Sequence, residues 1–284
     1  MSDIQAIDDS GPAIEASLTY TTDTAEKLVY RITETSEDED NPELRERYVI
    51  HQMPVRDVRA FADGLLLDRE GFILRRSASA VSDFYDADQV SAVYEPEVER
   101  LVKREAGAEK VVIFDHTIRV ESDEKRREKK VREIVNLAHN DYTVKSGPQR
   151  VRDLLEPEEA ERRLQGRFAI YNLWRPITGP VLSTPLAICD ARSIALEDWV
   201  LCDLVYSDRV GEIYNLAHNA DHRWCYFANM ETDEVMMFKS YDSMDDGRAR
   251  FTPHTAFIDP STPAGAPPRE SIETRALAFF PPDA

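Results

Sequence analysis

From Val111 onward, the chain is a succession of short apolar runs of strand type, separated by turns. The runs lie at 111–114, in the segment ending at 139–141, and at 168–174, 186–189, 199–206, 211–216, 223–227, 235–239, 250–255 and 271–280. One helix interrupts them at 149–165, with Pro157 as a break and Gly166 as its stop signal. This spacing predicts a mainly β fold, a double-stranded β-helix of the jelly-roll or cupin-like type.

The first 110 residues have patterns typical of both strands and helices. Short strand-type runs lie at 18–20, 27–32 and 48–53. A hairpin over 65–74 would turn at Gly71, because glycine readily adopts the positive φ that a tight turn needs. A helix over 86–106 is interrupted at Pro96 and ends before Gly107. These elements predict an α+β region without a catalytic signature.

Two units are therefore expected along the chain. Residues 1–110 form an N-terminal α+β extension, which packs on a jelly-roll catalytic core at 111–284 and completes it as one compact unit. Residues 1–17 are expected to be disordered. The acidic loop at 36–42 is expected to be solvated, since its composition offers little apolar surface to bury.

The composition excludes several classes of protein. With 284 residues, 42% of them hydrophobic, the chain is expected to be soluble and can bury a sizeable core. Its net charge of -19 opposes binding to nucleic acid or to an anionic membrane. It has neither an apolar run long enough to span a bilayer nor a secretory signal. We expect a cytoplasmic monomer or homodimer that acts on a small molecule.

Two local features have a structural and a functional interpretation. The basic run at 125–132 is typical of a solvated helix face. The alternative is that it forms a basic rim of the substrate site, which attracts an anionic substrate. Cys189, Cys202 and Cys225 lie in apolar runs without CxxC spacing. We expect them to be reduced core residues rather than zinc ligands or disulfides.

His139 and Asp141 are the strongest candidates for metal ligands. Residues two apart on an extended backbone point to the same face, so this pair could bind one ion. His254, in a late strand-type run, could supply a third ligand, because a jelly roll brings several strand ends to one mouth. Two imidazoles and one carboxylate leave positions open for a co-substrate and dioxygen, as in non-haem iron(II) oxygenases.

Arg269 and Arg275 follow His254 and share strand parity. A guanidinium beside the metal suits bidentate capture of a carboxylate, such as the distal carboxylate of 2-oxoglutarate. Either arginine could be this anchor. The alternative is that one of them pairs with a surface acid.

Several motifs then resemble one enzyme family. They are FDHTIR at 114–119, HNDYT at 139–143, NLWRP at 172–176, FKSYDS at 238–243, RFTPHTAF at 250–257 and PPRESIETR at 267–275. Together they resemble the Fe(II)/2-oxoglutarate-dependent oxygenases that include gibberellin desaturase, AsaB-type hydroxylase and CmcJ. The resemblance covers the region from Val111 to the end and is weaker before it.

The resemblance implies an enzyme that hydroxylates or desaturates a small molecule, often in specialised metabolism, using Fe(II), 2-oxoglutarate and O2. The retained Asp141 argues against halogenation, since related halogenases replace this carboxylate so that chloride can bind. Arg175 is a further candidate for co-substrate binding, and the motif segments offer more candidates for substrate contacts. These substrate candidates are His116, Arg119 and Lys239. His116 and Arg119 lie three apart, so in a regular strand only one should reach the pocket.

Two other functions use the same residues differently. A metal-dependent hydrolase or isomerase on a cupin-like scaffold would keep the metal ligands and have no need of a keto-acid anchor. A jelly-roll binding protein would need no metal ligands. A rival metal site, HNADH at 218–222, has the i, i+4 histidine spacing of a zinc peptidase but lacks the glutamate that follows the first histidine. A surface turn is the favoured interpretation there.

Overall fold

Two curled β-sheets form the frame of the protein in the computed structural model, which describes residues 12–24, 26–31 and 46–281. The strands are β1 Ala13–Thr21, β2 Leu28–Arg31, β3 Tyr48–Asp57, β4 Phe72–Arg76, β5 Lys110–Val120, β6 His139–Asn140, β7 Phe168–Pro176, β8 Leu186–Cys189, β9 Trp199–Val205, β10 Val210–Leu216, β11 Trp224–Tyr226, β12 Glu234–Asp242, β13 His254–Ala256 and β14 Glu270–Phe279. The nine-stranded sheet has the order β1-β3-β11-β8-β13-β6-β10-β9-β2, and the five-stranded sheet the order β4-β12-β7-β14-β5.

Helices flank the sheets. They are α1 Glu95–Ala106, α2 Asp123–Lys129, α3 Ser146–Leu154 and α4 Pro157–Arg163, with short helical turns at Arg59–Gly64, Ala87–Gln89, Val90–Tyr94, Ala191–Ser193 and Leu196–Asp198. Helix α1 buries Val98, Leu101 and Val102, which lie on one face at helical spacing. It ends at Gly107, whose φ of 74° is left-handed. The largest buried cluster joins α1 to the five-stranded sheet and to β8 and β11.

The jelly-roll prediction is confirmed, and most predicted strands lie within a few residues of their expected bounds. The hairpin over 65–74 is wrong, because only its second half forms a strand. Gly71 does have a positive φ of 92°. The Leu66 amide donates to the Glu70 carboxylate at 3.0 Å, and the Leu66 carbonyl accepts from the amides of residues 69–71. These local bonds close a compact turn where a strand was expected.

The strand before the HND motif is much shorter than predicted. Only His139 and Asn140 pair with β10, and His139 also pairs with His254 of β13. The residues just before them approach β1 instead, where the Ala138 amide donates to the Thr19 carbonyl at 2.9 Å. The helix predicted at 149–165 forms α3 and α4, and the predicted break lies just before Pro157, the first residue of α4.

Strands from both sides of residue 110 contribute to each sheet, and the division into extension and core stays a prediction. The expected acidic loop and residues 1–11 of the expected disordered N-terminus lie outside the described residues. The disorder prediction is wrong for residues 13–17, which begin β1. The cysteines Cys189, Cys202 and Cys225 are buried and free, as predicted. Among the described residues, no helix has the length and apolar character needed to cross a bilayer.

Candidate metal centre and co-substrate site

His139, Asp141 and His254 meet between the two sheets. One ligand atom from each lies within 4.8 Å of the others. The two imidazole centroids are 4.5 Å apart, and the Nε2 atom of His139 lies 3.9 Å from the Oδ1 atom of Asp141. The direct pairing of His139 with His254 across β6 and β13 produces this closeness. The structure therefore brings together the three residues that the sequence singled out.

Backbone carbonyls orient both imidazoles. The Nδ1 atom of His139 lies 2.8 Å from the Leu137 carbonyl, and the Nδ1 atom of His254 lies 3.3 Å from the Thr252 carbonyl. These contacts assign the ring protons to Nδ1, which leaves each Nε2 lone pair available to a metal. Burial, with a smaller effect of the neighbouring His139, lowers the pKa of His254 to about 4. This ring is therefore neutral near pH 7.

Four donors hold the Asp141 carboxylate. Its Oδ2 atom accepts from Ser240 Oγ at 3.1 Å, Asn172 Nδ2 at 3.4 Å and Arg275 Nε at 3.2 Å, whereas Oδ1 accepts from Arg275 Nη2 at 2.9 Å. Burial acts to raise the pKa of Asp141, but Arg275 and the two imidazoles together lower it well below its usual range. The carboxylate is ionised, and Oδ1, which lies towards His139, keeps spare acceptor capacity for a metal ion.

Arg275 is surrounded by carboxylates. Besides Asp141, it pairs with Asp115, and its Nη2 atom lies 3.3 Å from Glu273. Burial acts to lower the pKa of Arg275, but these acids raise it well above its usual value. Its guanidinium thus fixes these acids and offsets part of their negative charge.

Arg269 has a different environment. It is 3% exposed, its Nη1 atom donates to the Thr184 carbonyl at 2.7 Å, and its guanidinium carbon lies 5.4 Å from the Trp174 ring centre. Its Nε atom has no hydrogen-bond partner, and neither do the buried Trp174 Nε1 and Ser271 Oγ atoms. Burial lowers the pKa of Arg269 to about 10, so it stays charged at pH 7. Within the described residues its side chain has no carboxylate ion pair, so its chemistry fits an anionic ligand.

Glu121 fixes the backbone around Arg269. Its carboxylate accepts from Ser183 Oγ at 2.7 Å, from Thr184 Oγ1 at 2.6 Å and from the Arg269 amide at 2.8 Å. Nothing in the sequence indicates this role, because Glu121 is far along the chain from residues 183–184 and from Arg269. Ser240 and Asn172, which hold Asp141, were missed for the same reason, although both lie in the motif segments.

The other predicted site residues divide between the faces of the five-stranded sheet. Arg119 lines the cavity beside the metal cluster, and its Nε atom donates to Glu273 at 2.8 Å. His116 lies on the opposite face of β5, where its ring contacts Thr274 Oγ1 at 2.9 Å and Glu95 at 3.3 Å. The structure thus brings Arg119 to the cavity and places His116 against α1.

Arg175 and Lys239 lie away from the cluster. Arg175 donates to the Ser77 carbonyl and packs over the rings of Phe84 and Tyr94, at 5.9 and 5.2 Å from their centres. Lys239 is fully buried, and its Nζ atom contacts Asp68 at 2.5 Å, Asp242 at 2.7 Å and the carbonyl of residue 249 at 3.0 Å. Like Arg269, neither side chain lines the cavity beside the metal cluster.

The rival HNADH segment forms no three-ligand group in the part of the chain that the structure describes. His222 is buried rather than on a surface turn, with Nε2 3.0 Å from Asp198 Oδ2 and Nδ1 3.3 Å from the Tyr20 hydroxyl. His218 stacks on His51 with ring centres 3.6 Å apart. These rings join β1 and β3 to the segment after β10.

A large cavity opens beside the metal cluster. It has a volume of about 730 Å³, and His139, Asp141, Arg275 and Arg119 line its inner part. Such a volume suits a small organic molecule. The cavity gives such a molecule access to the ligand cluster.

Comparisons with known proteins agree with this geometry. Residues 18–279 match a family described as "Oxidoreductase/YMDC permease-like domain". The hydroxylase/desaturase efuI of Hormonema carpetanum is 33% identical over 258 residues, which cover 83% of this chain and 86% of efuI. The Fe(II)/2-oxoglutarate-dependent dioxygenase nvfI of Aspergillus novofumigatus is 33% identical over 267 residues, which cover 90% and 92% of the two chains.

The solved structures include a close match. The iron and alpha-ketoglutarate-dependent endoperoxidase NvfI superposes with a TM-score of 0.82 at 30% sequence identity, covering 94% of this chain and 98% of that chain. The chain therefore belongs to the Fe(II)/2-oxoglutarate-dependent dioxygenase family. The predictions of the family, the enzyme class and the use of Fe(II), 2-oxoglutarate and O2 are confirmed, and a small-molecule substrate is consistent with such an enzyme.

The contacts of Lys239 predict a purely structural role. Lys239→Met should lower the free energy of unfolding by about 3 kcal/mol, because it removes a buried cation from Asp242. The matched control is Arg248→Met, whose partner Asp246 is 42% exposed, and its loss should be about 1 kcal/mol or less. Denaturant unfolding measures both. An unchanged stability together with an altered substrate requirement in Lys239→Met would contradict the structural role.

Proposed function

We propose that His139, Asp141 and His254 hold iron(II) and that Arg269 holds the distal carboxylate of 2-oxoglutarate, in an enzyme that hydroxylates or desaturates a small molecule. The observation that carries this proposal is the convergence of two imidazoles and one carboxylate within 4.8 Å beside an open cavity. The donor set is the one that non-haem iron(II) oxygenases use. The family of the chain supports the same reading.

The bound iron, with 2-oxoglutarate and dioxygen, supplies the oxidising chemistry. The residues of the chain position it. Arg275, Ser240 and Asn172 fix the Asp141 carboxylate, and the backbone carbonyls fix both imidazoles. Such contacts around metal ligands set their orientation and their protonation state. The cavity places a C–H bond of the substrate beside this cluster, and its walls limit the access of water.

Arg269 is the better candidate for the co-substrate anchor, because its cationic head is buried with a spare donor and no carboxylate partner among the described residues. Arg275 already has three acids around it. A metal-dependent hydrolase or isomerase would have no use for a buried, unneutralised guanidinium in this place. Endoperoxide formation is the second candidate reaction, favoured by the structural likeness to the endoperoxidase NvfI.

The remaining assignments stay predictions. We propose that Arg119, which lines the cavity, contacts the substrate, whereas the placements of His116, Arg175 and Lys239 favour structural roles. We also propose that residues 1–110 complete the core, since β1, β3 and β4 lie in its two sheets. The cytoplasmic location and the monomeric or homodimeric state are expectations from the sequence alone.

The metal assignment predicts a spectroscopic signature. Adding iron(II) and 2-oxoglutarate without oxygen should produce the weak visible charge-transfer absorption of a metal-bound keto acid. His139→Ala and His254→Ala should abolish it, because each removes one of the three ligands. The control is His116→Ala, whose ring lies on the other face of β5 and whose variant should keep the band. A folded, iron-loaded wild type without the band would refute the oxygenase proposal.

The anchor assignment predicts a different effect for each arginine. Arg269→Ala should raise the 2-oxoglutarate concentration needed for binding about a hundredfold and leave the iron content unchanged, because one partner of a buried charge pair is lost. Arg269→Lys should recover part of this loss. Arg275→Gln should instead lower iron retention, because Asp141 loses its cation. Titration of the absorption band and metal analysis measure these effects.

The opposite pattern would assign the anchor to Arg275. That pattern is a steep rise in the 2-oxoglutarate requirement in Arg275→Gln with iron retained, together with a normal requirement in Arg269→Ala.

A further inference from the structure

The cavity beside the metal cluster is lined by apolar as well as polar side chains. Beside its polar and charged groups, the wall of the cavity includes a group of aliphatic and aromatic side chains. These are Tyr30, Tyr48, Phe114, Val135, Leu137, Leu204, Tyr206 and Ile213. A wall of this kind favours a hydrocarbon skeleton of the substrate over a sugar or a nucleotide.

Charged groups also line the cavity, and each of its acids has a cationic partner. Asp115 and Asp141 pair with Arg275. Glu212 pairs with Lys27 at 2.5 Å, and Asp153 lies 3.7 Å from Arg150. The acids of the wall are thus already engaged by cations of this chain.

Two arginines of the same wall lack such compensation, and a third, Arg150, keeps a free donor beside its ion pair with Asp153. Arg132 and Arg209 are exposed, and within the described residues neither has a carboxylate partner. Arg209 packs over the Tyr206 ring at 4.2 Å. Arg150 packs over the Phe114 ring at 5.6 Å, and its buried Nε atom has no hydrogen-bond partner. Each cation thus lies beside the apolar wall with donors to spare, in a chain whose net charge is -19.

We propose that the substrate is an apolar molecule with an anionic group, whose skeleton packs on the apolar wall while its acid binds Arg132, Arg150 and Arg209. A carboxylate is the simplest such group, because guanidinium donors match its geometry. This inference deepens the proposed function by naming the substrate class of the same site. The acid is held at the arginines, so a C–H bond elsewhere on the skeleton faces His139 and Asp141.

A matched pair of probes tests the charge preference without knowledge of the substrate. The anionic probe is 1-anilinonaphthalene-8-sulfonate, and N-phenyl-1-naphthylamine lacks only its sulfonate. Both are titrated by fluorescence into the full chain, loaded with iron(II) and 2-oxoglutarate without oxygen. The anionic probe should bind more tightly. Replacing the three arginines together by alanine should weaken it about tenfold and change the neutral probe less than about twofold.

Two control variants place the effect in the cavity. Arg127→Ala removes an arginine whose side chain is 81% exposed and does not line the cavity, and it should change neither affinity. Ile213→Trp fills part of the apolar wall and should weaken both probes. Each single arginine variant is measured as well, so that a folding defect in the triple variant does not decide the result.

Three results would overturn the inference. In the first, the two probes bind the wild type with equal affinity. In the second, the arginine substitutions weaken the binding of both probes equally. In the third, Ile213→Trp changes the affinity of neither probe. The measurement reads binding and not turnover. Failure of the oxygenase proposal would appear in the charge-transfer band, whereas failure of the substrate inference would appear only in the probe affinities.

Discussion

The buried amide of Asn140 joins the segments that carry the metal-ligand candidates. Its Nδ2 atom donates to the carbonyls of Tyr142 and Ser240 at 2.7 and 2.9 Å, and its Oδ1 atom accepts from the Thr252 amide at 3.1 Å. Its side chain thus ties the turn after His139 to β12 and to the segment that leads into His254. Both N–H groups and the oxygen of this amide have hydrogen-bond partners. The network therefore holds the three metal-ligand candidates in one arrangement.

Arg275 in β14 and Arg269, the residue just before β14, supply two positive charges of the site. Arg275 stabilises the carboxylates that surround the metal cluster, whereas Arg269 is held by Thr184 and the Glu121 network without a carboxylate on its guanidinium. A buried cation without an anion is costly, and a bound dianionic co-substrate offsets that cost. Under the proposed assignment, Arg275 serves the metal ligands and Arg269 serves the co-substrate.

The sequence predicted the features that depend on local pattern. Apolar runs indicated the strands, and the i, i+2 spacing of His139 and Asp141 indicated a shared site. Side-chain contacts between distant segments were not predictable, because they depend on the register of β14 against β5 and β7. The alternation of side chains along a strand predicts the same face for Arg269 and Arg275. It could therefore not show which of them is the co-substrate anchor. The same register decides that Arg119 faces the cavity and that His116 faces α1.

A crystal structure of the complex with iron(II) and 2-oxoglutarate, grown without oxygen, tests the central claim most directly. The account predicts an anomalous iron peak bonded to His139, Asp141 and His254, with the distal carboxylate of 2-oxoglutarate on Arg269. An iron peak elsewhere, or the distal carboxylate on Arg275 with Asp141 released, would contradict it.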